Sequence, residues 1–426
     1  MGIALICFVV VLLLGIPIAF VLALTGMIHL AAIDLSYLAV VPQRMFAGIN
    51  SSSLTCIPFF IVAGELMNGG GVTQKLMEFV KELVGYVKGG LAYATIVTAA
   101  ILSAILGSPN AVSSILCSVL LPDLKKEGYD MEFGGALIAA SGVLGPIIPP
   151  STTFVIFATL SGVSVKGLFM AGIIPGILIA ISYVFVVALY VRRKGLPRAI
   201  DHIAPRRLLR SFVQAIPALV VPLVIVGGVM TGAFTPTESG AVSCVAAVLA
   251  GMIYRSFDFK HLPQMLLRAG STSAAILFII AAGNILGYSL EVDNIPSRVA
   301  AAVLSWTSSK ALIILLLLAV MIVVGCLMEA TAAITIFTPV MMTIVTAIGM
   351  DGLHFGLVFC IMMTIALITP PVGMLLFVTS NISKIELTKL NRAILPFCLA
   401  AFAVTFALAY LPDVALFVPR LFGYGG

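Results

Sequence analysis

Charge is what this sequence has least of. Of its 426 residues only 9% are charged and 61% are hydrophobic, whereas a soluble globular domain carries about a quarter charged residues. A large water-soluble core is thereby excluded. Helices around such a core need polar faces, and the apolar blocks 3–24, 212–230 and 311–324 lack them. A run of about 20 apolar residues spans the hydrocarbon of a bilayer as a helix. No Lys or Arg precedes the first block and no small-x-small site follows it, so it reads as a first span and not a cleaved leader. The seven cysteines sit singly, without CxxC or Cys/His spacing, which argues against zinc and against a disulfide framework. His29, His202, His261 and His354 are scattered. No GxxxxGK[ST] occurs, so no P-loop for ATP is visible, and HExxH and GxSxG are missing too. An enzyme is therefore not expected.

What is present reads as an all-α polytopic membrane protein. Ten crossings are expected, at 3–23, 25–41, 54–68, 132–162, 167–191, 211–231, 234–254, 270–287, 354–382 and 391–412. Two re-entrant hairpins are expected at 89–121 and 310–345, each with an apolar arm, a Gly-containing break and a second apolar arm. The positive-inside rule tests this layout. The segment 192–210 holds Arg192, Arg193, Lys194, Arg198, Arg206, Arg207 and Arg210 and is expected to be a cytoplasmic loop. Counting outward places 18 of the 23 Lys and Arg inside, leaving Arg44, Lys166, Arg298, Lys310 and Arg420 outside. Both termini then lie outside. The net charge of +6 follows from this topology and does not point to nucleic acid. Segments 73–88 and 256–268 read as amphipathic helices on the cytoplasmic surface.

The second half repeats the first. Leu144-Gly-Pro-Ile-Ile-Pro-Pro-Ser-Thr-Thr-Phe matches Ala366-Leu-Ile-Thr-Pro-Pro-Val-Gly-Met-Leu-Leu, with the Pro149–Pro150 and Pro370–Pro371 pairs 221 positions apart. Phe59-Phe-Ile-Val-Ala-Gly-Glu-Leu-Met resembles Phe278-Ile-Ile-Ala-Ala-Gly-Asn-Ile-Leu, and Gly107 and Pro122 pair with Gly325 and Pro339. The repeats are expected at 1–191 and 211–426, flanking the basic loop 192–210. Five crossings per half turn the second copy upside down. This is the inverted-repeat plan of secondary transporters, with sites at interrupted helices near the midplane.

Adjacent prolines remove backbone donors and clash with the preceding turn, so spans 132–162 and 354–382 should break. In lipid the freed carbonyls need partners, and sodium, a hard cation, suits them. The carbonyls of Gly145, Ile148 and Pro149 face the first hairpin tip, with Ser103, Gly107 and Ser108. Those around Thr369 and Val372 face the second, with Gly325 and Thr331. Ser151, Thr152 and Thr153 open a new half-helix, whose free N–H groups suit a carboxylate. Proline kinks without any ligand are the alternative reading, against which the duplication speaks. Arg44 either meets the anion or anchors at the headgroups. Glu65, Glu238 and Glu329 lie in apolar context and invite a functional reading. Glu238, three residues after Thr235, also fits a helix start.

At this point the chain resembles the large membrane subunit of tripartite ATP-independent periplasmic (TRAP) transporters. The resemblance is carried by Ile57-Pro-Phe-Phe-Ile-Val-Ala-Gly-Glu-Leu-Met, Leu144-Gly-Pro-Ile-Ile-Pro-Pro-Ser, Gly232-Ala-Phe-Thr-Pro-Thr-Glu-Ser, Gly325-Cys-Leu-Met-Glu-Ala and Thr369-Pro-Pro-Val-Gly. It implies an elevator mechanism in the bacterial inner membrane and sodium-coupled import of an organic anion, a carboxylate. It also implies two partners, a small membrane subunit and a periplasmic substrate-binding protein. The small subunit is expected as a separate chain, since nothing precedes the first span. Family members often carry Ser-Gly-Ser at the first tip, where this chain has Leu106-Gly-Ser-Pro-Asn. A single-component sodium–carboxylate symporter, and an intramembrane enzyme or channel, are the rival readings.

Overall fold

The computed structural model describes residues 2–196, 198 and 205–424. Apart from an isolated bridge between Lys88 and Arg198, the regular structure among them is helical. The chain opens with α1 (Gly2–Leu13) and α2 (Ile18–Ile33). The crossing expected at 3–23 is therefore not one helix. Gly15 takes φ +75° and Pro17 follows it, so the helix stops and restarts between them. Twelve residues reach only about 18 Å, short of the roughly 30 Å of hydrocarbon.

After a 3₁₀ turn come α3 (Val41–Ile49), α4 (Cys56–Gly69) and α5 (Val72–Val84). The last two are bent by 72° at Gly70–Gly71, so the amphipathic helix expected at 73–88 turns away from the span before it. Next are α6 (Gly90–Leu106), α7 (Pro109–Lys126), α8 (Met131–Gly142), α9 (Thr152–Ser161) and α10 (Val165–Lys194). The second half holds α11 (Pro205–Thr231), α12 (Pro236–Ile253), α13 (Leu262–Val292) and α14 (Ile295–Trp306). It continues through α15 (Lys310–Leu327), α16 (Ala330–Ala347), α17 (Gly352–Ala366), α18 (Met374–Ser383) and α19 (Leu387–Tyr410).

Two further expectations are corrected. The surface helix read at 256–268 is not separate, because α13 runs unbroken from Leu262 to Val292. Backbone bonding continues through a charged residue such as Arg268, which composition reads as an edge. The basic loop at 192–210 is also shorter than expected. Arg192, Arg193 and Lys194 form the last turn of α10, where cations suit the carbonyl end. Arg206, Arg207 and Arg210 belong to α11, which starts at Pro205. Residue 197 and residues 199–204 of that loop lie outside the described residues.

Among the described residues seven helices are long and apolar enough to cross a membrane, or eight if α4 and α5 count as one bent span. Large apolar side chains cover the exterior: Leu13, Phe185, Leu223, Val245, Leu267 and Leu399 are each more than half exposed. In water such a surface would associate; in lipid it is solvated. The protein is thus a multi-pass membrane protein.

Two helices are buried on every side. All residues of α17 from Leu353 to Ala366 are buried, as are those of α8 from Phe133 to Gly142. Around these two pillars the halves of the chain cross over. The arm α7 packs on α8 and on α18, while α16 packs on α17 and on α9. Stacked and tilted rings seal the crossings, Phe157 against Phe355 and Phe359, and Phe133 against Tyr190 and Phe397. Helices α2, α4, α11, α12 and α13 pack largely with one another, beside this centre.

Candidate functional site: two interrupted helices, each against a hairpin tip

The first interruption lies between α8 and α9. The chain leaves α8 in successive turns, Val143 to Ala140, Leu144 to Ser141 and Gly145 to Gly142, and then meets Pro146 and the Pro149–Pro150 pair. Prolines have no N–H, so carbonyls accumulate without donors. Among the described residues no hydrogen bond reaches the carbonyl oxygens of Gly145, Ile147, Ile148, Pro149 or Pro150. Pro146 is the exception. Its oxygen accepts from the hydroxyls of both Ser151 and Thr153.

Ser151 opens α9 as its N-cap, with extended backbone, and its Oγ accepts the Phe154 N–H at 3.3 Å. Ser151 and Thr153 are buried, and their hydroxyls also bond each other at 2.8 Å. Of the three hydroxyl residues expected at this half-helix, these two therefore face inward as a cap. Thr152 is half-buried and reaches the Gly107 carbonyl at 3.4 Å.

That carbonyl belongs to the first hairpin tip. Between α6 and α7 stand only Gly107 and Ser108. Gly107 takes φ +56°, a left-handed turn that favours glycine, and its N–H closes α6 on the Ser103 carbonyl. Ser108 caps α7 by accepting from Ala111 N–H. The Ser103 hydroxyl is buried and donates to Ala99 O at 2.5 Å, inside its own helix. The tip abuts the break: a Cβ on Gly145 would stand 3.5 Å from the Pro109 nitrogen. The structure thus brings Gly107, Ser108, Gly145 and Thr152 together.

The second interruption lies between α17 and α18. Among the described residues no hydrogen bond reaches the carbonyls of Thr369, Pro370, Pro371 or Val372. The Thr369 hydroxyl donates back to Ile365 O at 3.0 Å, and the Cys398 thiol approaches Ile368 O at 3.3 Å. Both Pro-Pro bonds, 149–150 and 370–371, are cis.

The second tip differs from its expectation. Gly325 is not in the turn but in the last turns of α15. The chain reverses through Met328 and Glu329, both in extended backbone. Gly325 serves close packing instead: a Cβ there would lie 2.4 Å from the Ala366 Cβ of α17. Glu329 was left without a role by the sequence. It caps α16, with one carboxylate oxygen on Ala332 N–H at 3.2 Å and the other on the Thr331 hydroxyl at 3.0 Å. The signal existed, since an acid before an apolar run fits an N-cap. Pro146 was missed as a hydroxyl acceptor, although it precedes both prolines in the same motif.

Other singled-out residues stand apart. Arg44 lies on α3 with its guanidinium 3.9 Å from the Tyr288 ring centre, and α3 packs on α13. It is not brought to Ser151. Glu238 is exposed and closes a capping box with Thr235 at the start of α12. Glu65 is half-buried on α4. Among the described residues no group of three or more His, Cys, Asp or Glu comes together to hold a metal ion. The donors at both breaks are neutral oxygens, the kind that a hard monovalent cation takes.

Apolar spans with two interrupted helices at the centre, each meeting a helix hairpin, define a polytopic membrane protein of the transporter kind. The chain belongs to the DctM component of the tripartite ATP-independent periplasmic transporters, whose family model matches residues 5–414. It is 33% identical over 404 residues to the 2,3-diketo-L-gulonate TRAP transporter large permease protein of Escherichia coli, covering 95% of each chain. It is 30% identical to the sialic acid TRAP transporter large permease protein of Vibrio cholerae, covering 96% of each. Among solved structures it is similar to the Alcanivorax borkumensis YdaH transporter, with a TM-score of 0.66 over 90% of this chain and 89% of that one. At 13% identity that likeness concerns the fold alone.

Proposed function

We propose that this chain is the permease subunit of a sodium-coupled, binding-protein-dependent importer of an organic anion in a bacterial inner membrane. The observation that carries the reading is the pair of carbonyl clusters without donors among the described residues, at Gly145 with 147–150 and at 369–372. Inside a membrane such oxygens need a partner, and a coupling cation supplies one. One sodium belongs at each break. The first is held by oxygens of Gly145, Ile148 and Pro149 with the tip at Ser103, Gly107 and Ser108. The second is held by Thr369 and Val372 with the tip near Thr331. The substrate carboxylate belongs at the start of α9, where the N–H groups of Thr152 and Thr153 end a half-helix.

The relatives named for diketogulonate and sialic acid both handle carboxylates, which supports this substrate class. An inverted repeat is supported by the spacing of elements. Helices α7 and α16 begin 221 positions apart and have 18 residues each, and the buried pillars α8 and α17 also begin 221 apart. The centre built of α6–α10 and α15–α19 is the domain that slides, and the remaining helices are the scaffold. Both termini face the periplasm by the charge asymmetry.

The family is tripartite, so a small membrane subunit and a periplasmic binding protein complete the machine. The test is uptake in proteoliposomes holding this chain alone, with the small subunit, and with both partners. Uptake is expected only with both. Full uptake by the lone chain would favour a single-component symporter.

A further inference from the structure

Helix α11 carries three cations where its own electrostatics disfavour them. It opens with Pro-Arg-Arg-Leu-Leu-Arg and has no acid in the first turn. Cations there meet the positive end of the helix dipole, whereas Arg192, Arg193 and Lys194 sit at the favourable end of α10. Among the described residues Arg206, Arg207 and Arg210 form no ion pair.

Arg207, Arg210 and Gln214 follow i, i+3, i+7 spacing and so share one face of α11. They line a cleft of about 450 Å³, whose opposite wall is Glu78, Lys81 and Glu82 of α5. The Phe79 and Phe212 rings, 5.5 Å apart, pack the two helices together. Two charges of that wall are already matched, Glu78 by Lys75 at 2.8 Å and Lys81 by Asp123 of α7. Two guanidiniums then face the half-buried Glu82, an excess of one positive charge. The Gln214 side-chain amide adds a donor with no partner among the described residues. Beside this polar face Leu209, Val213, Ile216, Val220 and Leu223 are exposed along α11. In a membrane such a stripe is covered by acyl chains. A phosphodiester carries one negative charge and accepts strong bonds from guanidinium, which matches the excess in the cleft. A soluble phosphate would match the charge but leave the stripe unused.

We propose that the α5–α11 cleft binds the phosphate of an anionic phospholipid, whose chains lie along the exposed stripe of α11. Basic pockets between membrane helices on the cytoplasmic side suit such headgroups. Glu82 opposes the phosphate and limits its affinity. The bound lipid ties α11 to α5, which also packs on α6. The site is separate from both interrupted helices, and it does not depend on the solute that is carried.

The experiment uses the full chain, purified in detergent and stripped of lipid. It is titrated with phosphatidylglycerol or phosphatidylcholine, and the affinity of the first lipid bound is read by mass spectrometry of the intact complex. The variants are Arg207→Gln with Arg210→Gln, the charge-matched pair Arg192→Gln with Arg193→Gln, and Glu82→Gln. Phosphatidylglycerol is expected to bind more tightly than phosphatidylcholine. The cleft pair should weaken it about tenfold, and the α10 pair by less than about twofold. Glu82→Gln should tighten it about threefold. That variant keeps both arginines, so the proposal stays testable if the cleft pair fails to fold. Equal weakening by the two arginine pairs means diffuse attraction and overturns the proposal. Equal affinity for phosphatidylcholine, or weaker binding to Glu82→Gln, also overturns it. Displacement of the lipid by an equal concentration of inorganic phosphate would assign the cleft to a soluble anion and overturn it too.

Discussion

At the scale of single residues, the hydroxyls around Pro146 decide how α9 begins. Ser151 satisfies one orphan N–H of the helix and bonds the Pro146 carbonyl, while Thr153 adds a second bond to that oxygen. Ser151→Ala leaves the buried Pro146 oxygen with one donor and α9 without its cap. A lost N-cap costs about 1 kcal/mol, so the variant should insert, melt earlier in a thermal-shift assay, and show weaker substrate uptake. Unchanged uptake kinetics would place the carboxylate elsewhere. Asp130 acts at the start of α8, where Lys194 and the Tyr190 hydroxyl both donate to its carboxylate. The Lys194 ammonium is the main cause holding Asp130 below the usual carboxylate range. Its folded pKa is depressed, so the tie is fully present above the unfolded value of about 3.9 and is lost as pH falls through the lower folded value. The pair is largely exposed, so the effect is at most about 1 kcal/mol. Asp130→Asn should therefore melt slightly earlier than the native chain at neutral pH. That gap should close in acid.

At the scale of elements, the two breaks are the features that sequence made plainest. Pro-Pro inside an apolar run cannot continue a helix, and Ser-Thr-Thr behind it reads as a new start. What the sequence could not supply was contact. Nothing local states that Gly145 meets Ser108 and Pro109, or that Gly325 packs on Ala366 rather than making a turn. Those depend on helices that are distant in sequence, and a glycine in an apolar stretch signals a bend and a close approach equally. The break at Gly15–Pro17 was hidden because the residues on both sides are apolar, so composition reports one long span. Glu329 looked functional for a similar reason. An acid among apolar neighbours has the same appearance whether it titrates or caps a helix. Two substitutions test the second break. Gly325→Leu forces side-chain atoms into Ala366, and overpacking of that kind costs about 1–3 kcal/mol; the expected result is a lower melting temperature and loss of uptake. Thr369→Ala removes one oxygen from the proposed cation shell. The sodium concentration for half-maximal uptake should rise about tenfold, equivalent to ~1.4 kcal/mol, with little change in thermal stability without sodium. A loss of stability with an unchanged sodium requirement would make Thr369 a structural residue only.

At the scale of the whole molecule, the arrangement is one of crossed halves. The first hairpin's second arm packs on the second broken helix, and the second hairpin's second arm packs on the first. A shift in either half is therefore carried into the other, which ties the two halves into one centre. Coupling follows if both breaks are filled before the centre travels, because unfilled carbonyl clusters are costly to carry through hydrocarbon. On the proposed function, the energy for uphill movement comes from the sodium gradient. The most direct measurement is uptake of the organic acid delivered by the cognate binding protein, in proteoliposomes holding both membrane subunits. An inward sodium gradient is compared there with a proton gradient of equal size in sodium-free buffer. The account predicts accumulation with sodium and none with protons alone. Undiminished accumulation in sodium-free buffer would contradict it.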